Sequence, residues 1–433
     1  METDNRIFET MSGSLPTRRG LTVNLQSFWA IADQGVVSLG NFLTTIILAR
    51  TLTPDAYGLW SVIFGLILFL NVFPASLVNY PLSVRLAARD DASGQLVKAA
   101  LALTAILAVP QVLLLFTVSF LVAHSALGMC AGLCLLLWQL QEATRRALMA
   151  RLAFGKTLCT DAISYLGQAA LVWLFAYKGV VSPEIAFALI GVTCLVAAIA
   201  QLWFLRGSLQ GRVNLKLHGR MFWATGRWVL GLNVLASFNI QAGPWALFLF
   251  RGPAEAAGFQ AVANLLGVSH PIKLSLGNFL IPVVARVRAN RGLAAARRVA
   301  LTQSTQAAIL LLPLILGLLI APRTFLGLFY GGTSPYVFLV WPLRLLALSY
   351  VLSYWAMAIR FFLIAVESRN RTQFVLELSS SVLFFALFIP LTFRWGLSGA
   401  IVATGVSQGA RLISNLMLMR QVRVPEQLST VTE

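Results

Sequence analysis

Long apolar runs recur along the whole of this chain, and they limit the folds open to it more than any other feature. A helix of about 20 residues, rising 1.5 Å per residue, is long enough to cross the hydrocarbon core of a bilayer. Runs of this length, bounded by charged or turn-forming residues, predict twelve membrane-spanning helices. They lie near residues 27–48, 58–80, 98–122, 125–145, 158–178, 184–205, 222–248, 255–281, 300–321, 336–362, 373–393 and 396–419. The sequence therefore predicts an all-α polytopic membrane protein.

The composition agrees with this prediction and excludes a large soluble core. Only 11% of the 433 residues are charged and 58% are hydrophobic, whereas a soluble domain carries about 25% charged residues. The formal net charge is +18. In a soluble protein that excess suggests a nucleic-acid partner, but in a membrane protein it is typical of cytoplasmic loops. We therefore expect no nucleic-acid partner.

The charges of the loops give the chain an orientation. With the N-terminus inside, the segments on the inner side hold about 23 Lys and Arg residues and the segments on the outer side hold five. These five are Arg50, Lys178, Arg251, Arg323 and Arg394. Because Lys and Arg are enriched in cytoplasmic loops, we predict twelve spans with both termini in the cytoplasm.

The longest basic loop divides the twelve spans into two halves of six. The tripeptide FWA at 28–30 recurs at 222–224, and RTLTPDAYG at 50–58 recurs more weakly as RGPAEAAG at 251–258. The pattern predicts two pseudo-symmetric six-helix bundles, which is a common plan among transporters. The predicted units are a cytoplasmic tail at 1–24, a first bundle at 25–206, a cytoplasmic linker at 207–221, a second bundle at 222–420 and a cytoplasmic tail at 421–433.

The sequence contains no motif for binding a metal, a cofactor or a nucleotide. The four cysteines lie in apolar segments, with no third ligand near Cys130 and Cys134, and the three histidines are scattered singly. Metal sites need clustered ligands. The chain also lacks a phosphate-binding loop of the P-loop type, so direct ATP hydrolysis is not expected. We predict a protein that is not an enzyme and that needs no metal or cofactor.

One stretch resembles a known family. The segment NFLTTIILARTLTPDAYGLWSVI at 41–63 contains Ala-Arg at 49–50, Leu-Thr-Pro at 52–54 and Tyr-Gly at 57–58. In this order the motifs resemble the opening of the polysaccharide flippases, which belong to the multidrug/oligosaccharidyl-lipid/polysaccharide exporter superfamily. The region from Arg145 to Gln168 is similar to the family's connection between its fourth and fifth helices, and the topology matches over nearly the whole chain.

The resemblance carries expectations about structure and function. It implies two six-helix bundles around a central cavity, and transfer of an oligosaccharide linked to undecaprenyl diphosphate across the bacterial inner membrane by alternating access. It further implies membrane lipids as partners, H⁺ or Na⁺ as a coupling ion, and the polysaccharide polymerase and chain-length machinery as associated proteins. It does not identify the sugar.

Acidic residues within the spans have two interpretations. Six polar residues of the first span, among them Asp33, share a helix face within an arc of about 140°. An aspartate deep in a membrane helix costs about 2.5–3.5 kcal/mol on insertion scales, so this face should contact other helices or a wet cavity. Asp33 either neutralises an intramembrane cation or couples transport to an ion. The same alternatives hold for Glu142, although Arg145 and Arg146 lie within one turn of it.

Basic residues within the spans are candidates for binding the substrate. A lipid diphosphate is an anion, and Arg and Lys offer charge-assisted donors to its oxygens. The candidates for a cationic cavity are Arg227, Lys273, Arg344 and Arg411, with Arg360 also inside a span. The alternative is that these side chains snorkel to the headgroups or form structural pairs. We expect a helix break at His270-Pro271 beside Lys273.

Three other classes of protein remain as alternatives. A multidrug or cation antiporter of the same superfamily needs carboxylates in its cavity, whereas the intramembrane residues here are mostly basic. A membrane glycan polymerase or ligase usually carries a large outer loop, and the predicted outer loops are very short. A scaffold without transport activity has no need of charged faces on so many spans.

Overall fold

Helices make up almost all of the described chain. The computed structural model describes residues 17–88, 93–121, 125–209, 213–366 and 370–422. No strand occurs within these ranges. Nine helices in them are long and apolar enough to cross a membrane, and two of the nine, His270–Ile320 and Leu378–Gln421, are long enough to cross it twice. With Leu215–Arg251 as a further span, the fold has twelve spans in two halves of six, as predicted.

The first half contains four continuous spans and two interrupted ones. Span 1 is Thr17–Thr51, span 3 is Ser93–Leu121, span 4 is Ser125–Ala150 and span 6 is Pro183–Leu205. Span 2 consists of Pro54–Leu70, Val72–Pro74, the π-helical turn Ala75–Asn79 and Tyr80–Ala88. Span 5 consists of Phe154–Asp161, the π-helical turn Ala162–Leu166 and Gly167–Tyr177.

The second half repeats this order with different interruptions. Span 7 is Leu215–Arg251, and span 8 is Pro253–Gly267 followed by the first part of His270–Ile320. That helix leaves helical geometry at Gly292, where φ is +78°, and span 9 is the part after it. Span 10 is Val340–Val366, and Asn370–Gln421 divides at Gly396, where φ is +56°, into spans 11 and 12. Glycine adopts these positive φ values without the steric cost that a Cβ brings.

Short helices lie in the connections between the spans. They are the 3₁₀ turns Arg206–Ser208 and Pro335–Phe338, and the α-helix Pro322–Tyr330. The predicted tail at 1–24 lies outside the described residues as far as residue 16, and the predicted tail at 421–433 lies outside them beyond Val422. Within the predicted linker, span 7 begins at Leu215.

The two ends of the bundle differ in charge. An even number of spans brings both ends of the chain to one end of the molecule. We call this the basic end, because Arg85, Arg145 and Arg297 lie in the parts of their spans nearest to it and Arg206 directly follows span 6 there. The other end, which holds the start of span 2 and the start of span 8, is called the opposite end.

The largest apolar core of the described residues joins the two halves at the opposite end. One core contains Trp60 and Phe187 of the first half together with Leu265 and Phe388 of the second. Towards the basic end this core divides. A cluster around Leu82 belongs to the first half and to the start of span 7, and a separate cluster belongs to spans 8, 9, 10 and 12. Burial of apolar surface therefore closes the opposite end and leaves separate cores at the basic end.

Candidate functional site

A buried ion cluster lies between spans 1, 4 and 5. Arg145 donates from Nη2 to Asp33 Oδ2 over 2.7 Å, from Nη1 to Glu142 Oε2 over 3.3 Å, and from Nε to Asp161 Oδ2. The side chains of Asp33, Arg145 and Asp161 are 1%, 7% and 0% exposed. Arg146, which is partly exposed, pairs with Glu142 over 2.6 Å. We call these five residues the Arg145 cluster.

Close packing of spans 1 and 5 makes this cluster possible. A Cβ atom on Gly40 would overlap the backbone carbonyl of Tyr165, so only glycine permits the observed approach. Tyr165 lies in the π-helical turn Ala162–Leu166, which begins directly after Asp161. Single π-helical turns within α-helices are frequent at functional sites. The polar face of span 1 thereby meets span 5 at the level where Asp33 and Asp161 both reach Arg145.

Amide and hydroxyl side chains surround the carboxylate of Asp161. Gln141 and Gln201 each donate from Nε2 to Asp161 Oδ1 over 3.4 Å. Thr144 donates to Oε1 of Gln201 over 2.5 Å. Two buried oxygens of this region, Asp33 Oδ1 and Gln141 Oε1, have no hydrogen-bond partner among the described residues. Asp33 Oδ1 could therefore receive a proton, and either oxygen could bind a small cation.

The charges of the Arg145 cluster do not balance. It contains three carboxylates and two guanidinium groups, and one of the guanidiniums, that of Arg146, is 45% exposed. At the buried centre, Arg145 is the one basic residue of the described chain that pairs with Asp33 and Asp161. Uncompensated charge is costly in a medium of low dielectric constant. Of the two interpretations of Asp33, the ion pair is present in the structure, and the coupling role stays a prediction, as it does for Glu142.

Lys273 lies in the middle of span 8 beside the predicted break. The helix that precedes it ends at Gly267 and the next begins at His270, so the chain is interrupted where His270-Pro271 led us to expect it. The Lys273 ammonium is 3.9 Å from the centroid of the Tyr350 ring, within the range of a cation–π contact. The Tyr350 hydroxyl is hydrogen-bonded to Ser269.

A cavity of about 190 Å³ adjoins Tyr350 in the second half. It lies between spans 8, 10 and 12. Most of its wall is apolar, with Phe259, Ala263, Leu266 and Leu346, and its polar lining residues are His270, Ser349, Tyr350, Ser353, Thr404 and Gln408. The cavity therefore offers a few hydrogen-bonding groups in a largely apolar wall.

The remaining candidate residues lie in separate places. Arg344 donates from Nε to the carbonyl of Leu319 over 2.9 Å, so it caps the end of span 9 from the start of span 10. Arg227 is exposed, and its guanidinium stacks 5.1 Å from the ring of Trp228. The four basic candidates thus do not converge on one point, and their roles in binding stay predictions.

Arg411 is accompanied by the other intramembrane arginine of the second half. It lines a narrow cleft between spans 10, 11 and 12 together with Arg360, Ser380, Ser414 and Asn415. Asn415 donates to the carbonyl of Ala356 over 2.9 Å. Both arginines therefore line this cleft.

Asp161 is the member of the Arg145 cluster to which the sequence analysis gave no role. It lies within the predicted span 158–178. A carboxylate inside a span needs a partner, as argued for Asp33, and this was the signal that could have revealed it.

Comparison with known proteins identifies the fold. No family model matches the chain, and no curated protein matches it. An inward-facing multidrug resistance MATE family transporter of the MOP superfamily is 15% identical, with a TM-score of 0.65 over 90% of this chain and 97% of that one. A MOP superfamily transporter from Pyrococcus furiosus, described by the reverse polarity of its binding pocket, is 13% identical with a TM-score of 0.60 over 91% and 94%.

A third structure, a MATE protein in the straight conformation, is 12% identical, with a TM-score of 0.63 over 92% of this chain and 95% of that one. The chain therefore has the fold of the MOP superfamily transporters, and among these the likeness is to MATE structures. At these identities the likeness concerns the fold and leaves the substrate open.

Proposed function

We propose that this protein flips an oligosaccharide linked to undecaprenyl diphosphate across the bacterial inner membrane by alternating access. The observation that carries the proposal is the charge of the second half. Residues 222–420 contain 16 Lys and Arg residues and only three acidic residues, and five of the basic residues lie within spans. A hydrated diphosphate that enters the membrane needs cationic donors in place of water. Arg227, Lys273, Arg344 and Arg411 remain the candidates that supply them.

The packing of the two halves supports alternating access with the basic end open. At the opposite end, Asn264 of span 8 donates to the Tyr57 hydroxyl of span 2 over 2.8 Å. Next to this contact, Pro253 packs closely on Gly58. A Cβ atom on Gly58 would overlap the carbonyl of Pro253. The basic end, which we assign to the cytoplasm, has two separate cores instead. A lipid-linked headgroup would therefore load from the inner leaflet.

Ion coupling in this proposal belongs to the Arg145 cluster. Asp33 and Asp161 share one arginine, and Asp33 Oδ1 and Gln141 Oε1 have no partner within the described chain. A proton on Asp33, or Na⁺ bound at these oxygens, would remove the excess negative charge. Its binding and release would change how firmly span 1 is held against spans 4 and 5, and so bias one of the two access states.

Export of a cationic drug is the second candidate, since the MATE structures that resemble this chain include a multidrug resistance transporter. The acidic Arg145 cluster is the observation in its favour. Its two most buried carboxylates, those of Asp33 and Asp161, are held by Arg145, which leaves less charge to attract a cation. We therefore place drug export second.

Complementation tests the proposal directly. The gene is expressed in a bacterial host whose own polysaccharide flippase is deleted, and surface polysaccharide is measured by gel electrophoresis of extracted glycan. We expect partial or full restoration with glycans of suitable structure. Because the glycan is not identified, a panel of hosts with different repeat units is needed. Failure in every host, together with increased resistance to cationic dyes, would support the drug exporter instead.

A further inference from the structure

The connection between spans 9 and 10 is much longer than its counterpart in the first half. It comprises residues 321–339 and contains the helix Pro322–Tyr330 and the 3₁₀ turn Pro335–Phe338. The counterpart, between spans 3 and 4, comprises residues 122–124. The repeated plan of six spans does not account for this difference. We call the longer segment the 321–339 connection and infer its role from its contacts.

The 321–339 connection is anchored in the second half, to which it belongs in sequence. Pro322, Leu326 and Tyr330 follow one another at intervals of four residues, which places them on one helix face, and all three are buried. The Tyr330 hydroxyl donates to the carbonyl of Ala261 in span 8 over 2.7 Å. The helix therefore packs this face onto the second half at the opposite end.

Arg50 of span 1 reaches the same helix from the first half. Its guanidinium donates from Nη2 to the carbonyl of Leu328 over 2.8 Å, although 278 residues separate the two. Leu328 lies in the last turn of Pro322–Tyr330, where carbonyl groups have no partner within the helix. A cation at the C-terminus of a helix is also favoured by the helix dipole. Arg50 thus caps, from one half, a helix that is held by the other.

Two pairs of aromatic rings add to this contact between the halves. Phe42 of span 1 and Phe329 meet edge to face with their centroids 5.4 Å apart. Tyr57 of span 2 and Tyr336 of the 3₁₀ turn meet edge to face at 6.2 Å. Such pairs attract one another beyond the effect of the area they bury. The 321–339 connection is therefore held to spans 1 and 2 at three points.

We propose that the 321–339 connection is a latch, that is, the segment that keeps the opposite end closed until its contacts with the first half break. Because it is anchored on span 8, it moves with the second half when the halves separate at this end. The contacts of Arg50, Phe42 and Tyr57 then break together, and they form again on closure. The inference rests on the alternating access of the proposed function, and it does not depend on which substrate is carried.

Cysteine labelling in lipid nanodiscs tests the latch. The four native cysteines, which are all free, are first replaced by alanine. Ser61 lies one turn after Tyr57 on the same face of span 2 and is 4% exposed, so a maleimide reaches the thiol of Ser61→Cys when this end opens. Arg50→Ala should raise the labelling rate at position 61 severalfold, and Arg50→Ala combined with Phe329→Ala should raise it further.

Matched variants separate the latch from a general loosening of the fold. Leu328→Ala removes a side chain that is 67% exposed but keeps the carbonyl that Arg50 contacts. Arg323→Ala removes an exposed arginine of the same connection whose side chain has no hydrogen bond or ion pair within the described residues. Both variants should label at the rate of the parent. A second reporter, Ala147→Cys, lies in the buried cluster around Leu82, and its labelling should stay slow in every variant.

Three outcomes would overturn the latch. They are an unchanged rate at position 61 in the double variant, an equal increase in Leu328→Ala or Arg323→Ala, and a parallel increase at position 147, which would assign Arg50 to stability. The test is also independent of the flippase. Faster labelling in a protein that restores no surface polysaccharide would leave the latch standing and overturn the proposed substrate, and unchanged labelling in a protein that restores it would do the reverse.

Discussion

Arg145 of span 4 donates to Asp33 of span 1 over 2.7 Å, although 112 residues separate the two in the chain. Both side chains are almost fully buried. Asp161 of span 5 occupies the other side of the same guanidinium group. Three helices of the first half are thus held together by one cation.

Loss of Arg145 should destabilise the protein far more than loss of its neighbour. Arg145→Ala leaves two buried carboxylates without a cation, and breaking such pairs costs about 3–5 kcal/mol. Arg146→Ala removes a partly exposed pair worth about 1 kcal/mol or less. The free energy of unfolding in mixed detergent micelles, followed by tryptophan fluorescence, measures both variants. Equal losses would contradict the central position of Arg145.

Neutralising Asp33 should change coupling without unfolding the protein. Asp33→Asn keeps the shape of the side chain, and Arg145 retains Asp161 and Glu142. We expect a near-normal amount of folded protein, with transport that no longer responds to an imposed proton or sodium gradient. Reconstituted vesicles with each gradient in turn provide the measurement. A gradient response equal to that of the unchanged protein would exclude Asp33 from coupling.

A methyl group at Gly58 should force the opposite end apart. A Cβ there overlaps the carbonyl of Pro253, and overpacking of this kind costs about 1–3 kcal/mol. Gly58→Ala should therefore widen the distance between spin labels at Thr53 and Ala254, measured by double electron–electron resonance. Gly35→Ala is the control, because nothing lies within 4 Å of a Cβ at that position. A distance distribution that is the same in both variants would contradict the close packing of Gly58 on Pro253 at the opposite end.

Replacing Lys273 should lower transport, whereas replacing Arg344 should lower the amount of folded protein. Lys273 lies against the ring of Tyr350, which lines the cavity between spans 8, 10 and 12. Lys273→Ala should therefore lower surface polysaccharide severalfold while the amount of protein stays the same. Arg344 caps the end of span 9, and a lost hydrogen bond from a charged donor costs about 1.5–3 kcal/mol, so Arg344→Ala should lower the amount of folded protein. Quantitative immunoblots beside the complementation assay distinguish the two. Normal polysaccharide with Lys273→Ala would remove it from the mechanism.

Much of the fold could be predicted because it depends on local patterns. Apolar run length and loop charge predicted twelve spans, and Gly292 and Gly396 divide two long helices where loops were expected. The partners of the charged residues could not be predicted in the same way. Asp33 was recognisable as a residue in need of a cation, but the first half holds several arginines and lysines at the inner ends of its spans, and the sequence did not select one of them. Arg344 was assigned to a cavity, and only the approach of spans 9 and 10 shows its carbonyl partner.

The sequence by itself determined that this protein lies in a membrane, how often it crosses, and that its second half is strongly basic. These properties follow from the free energy of transferring each residue into the membrane and from the charges of the loops. Both can be added up along the chain without knowing which helices touch. The tertiary structure alone decided that Arg145 binds Asp33 and Asp161, and that Lys273 lies against the ring of Tyr350. Both relationships arise from helices distant in sequence, where a close approach permitted by a glycine such as Gly40 decides which side chains meet.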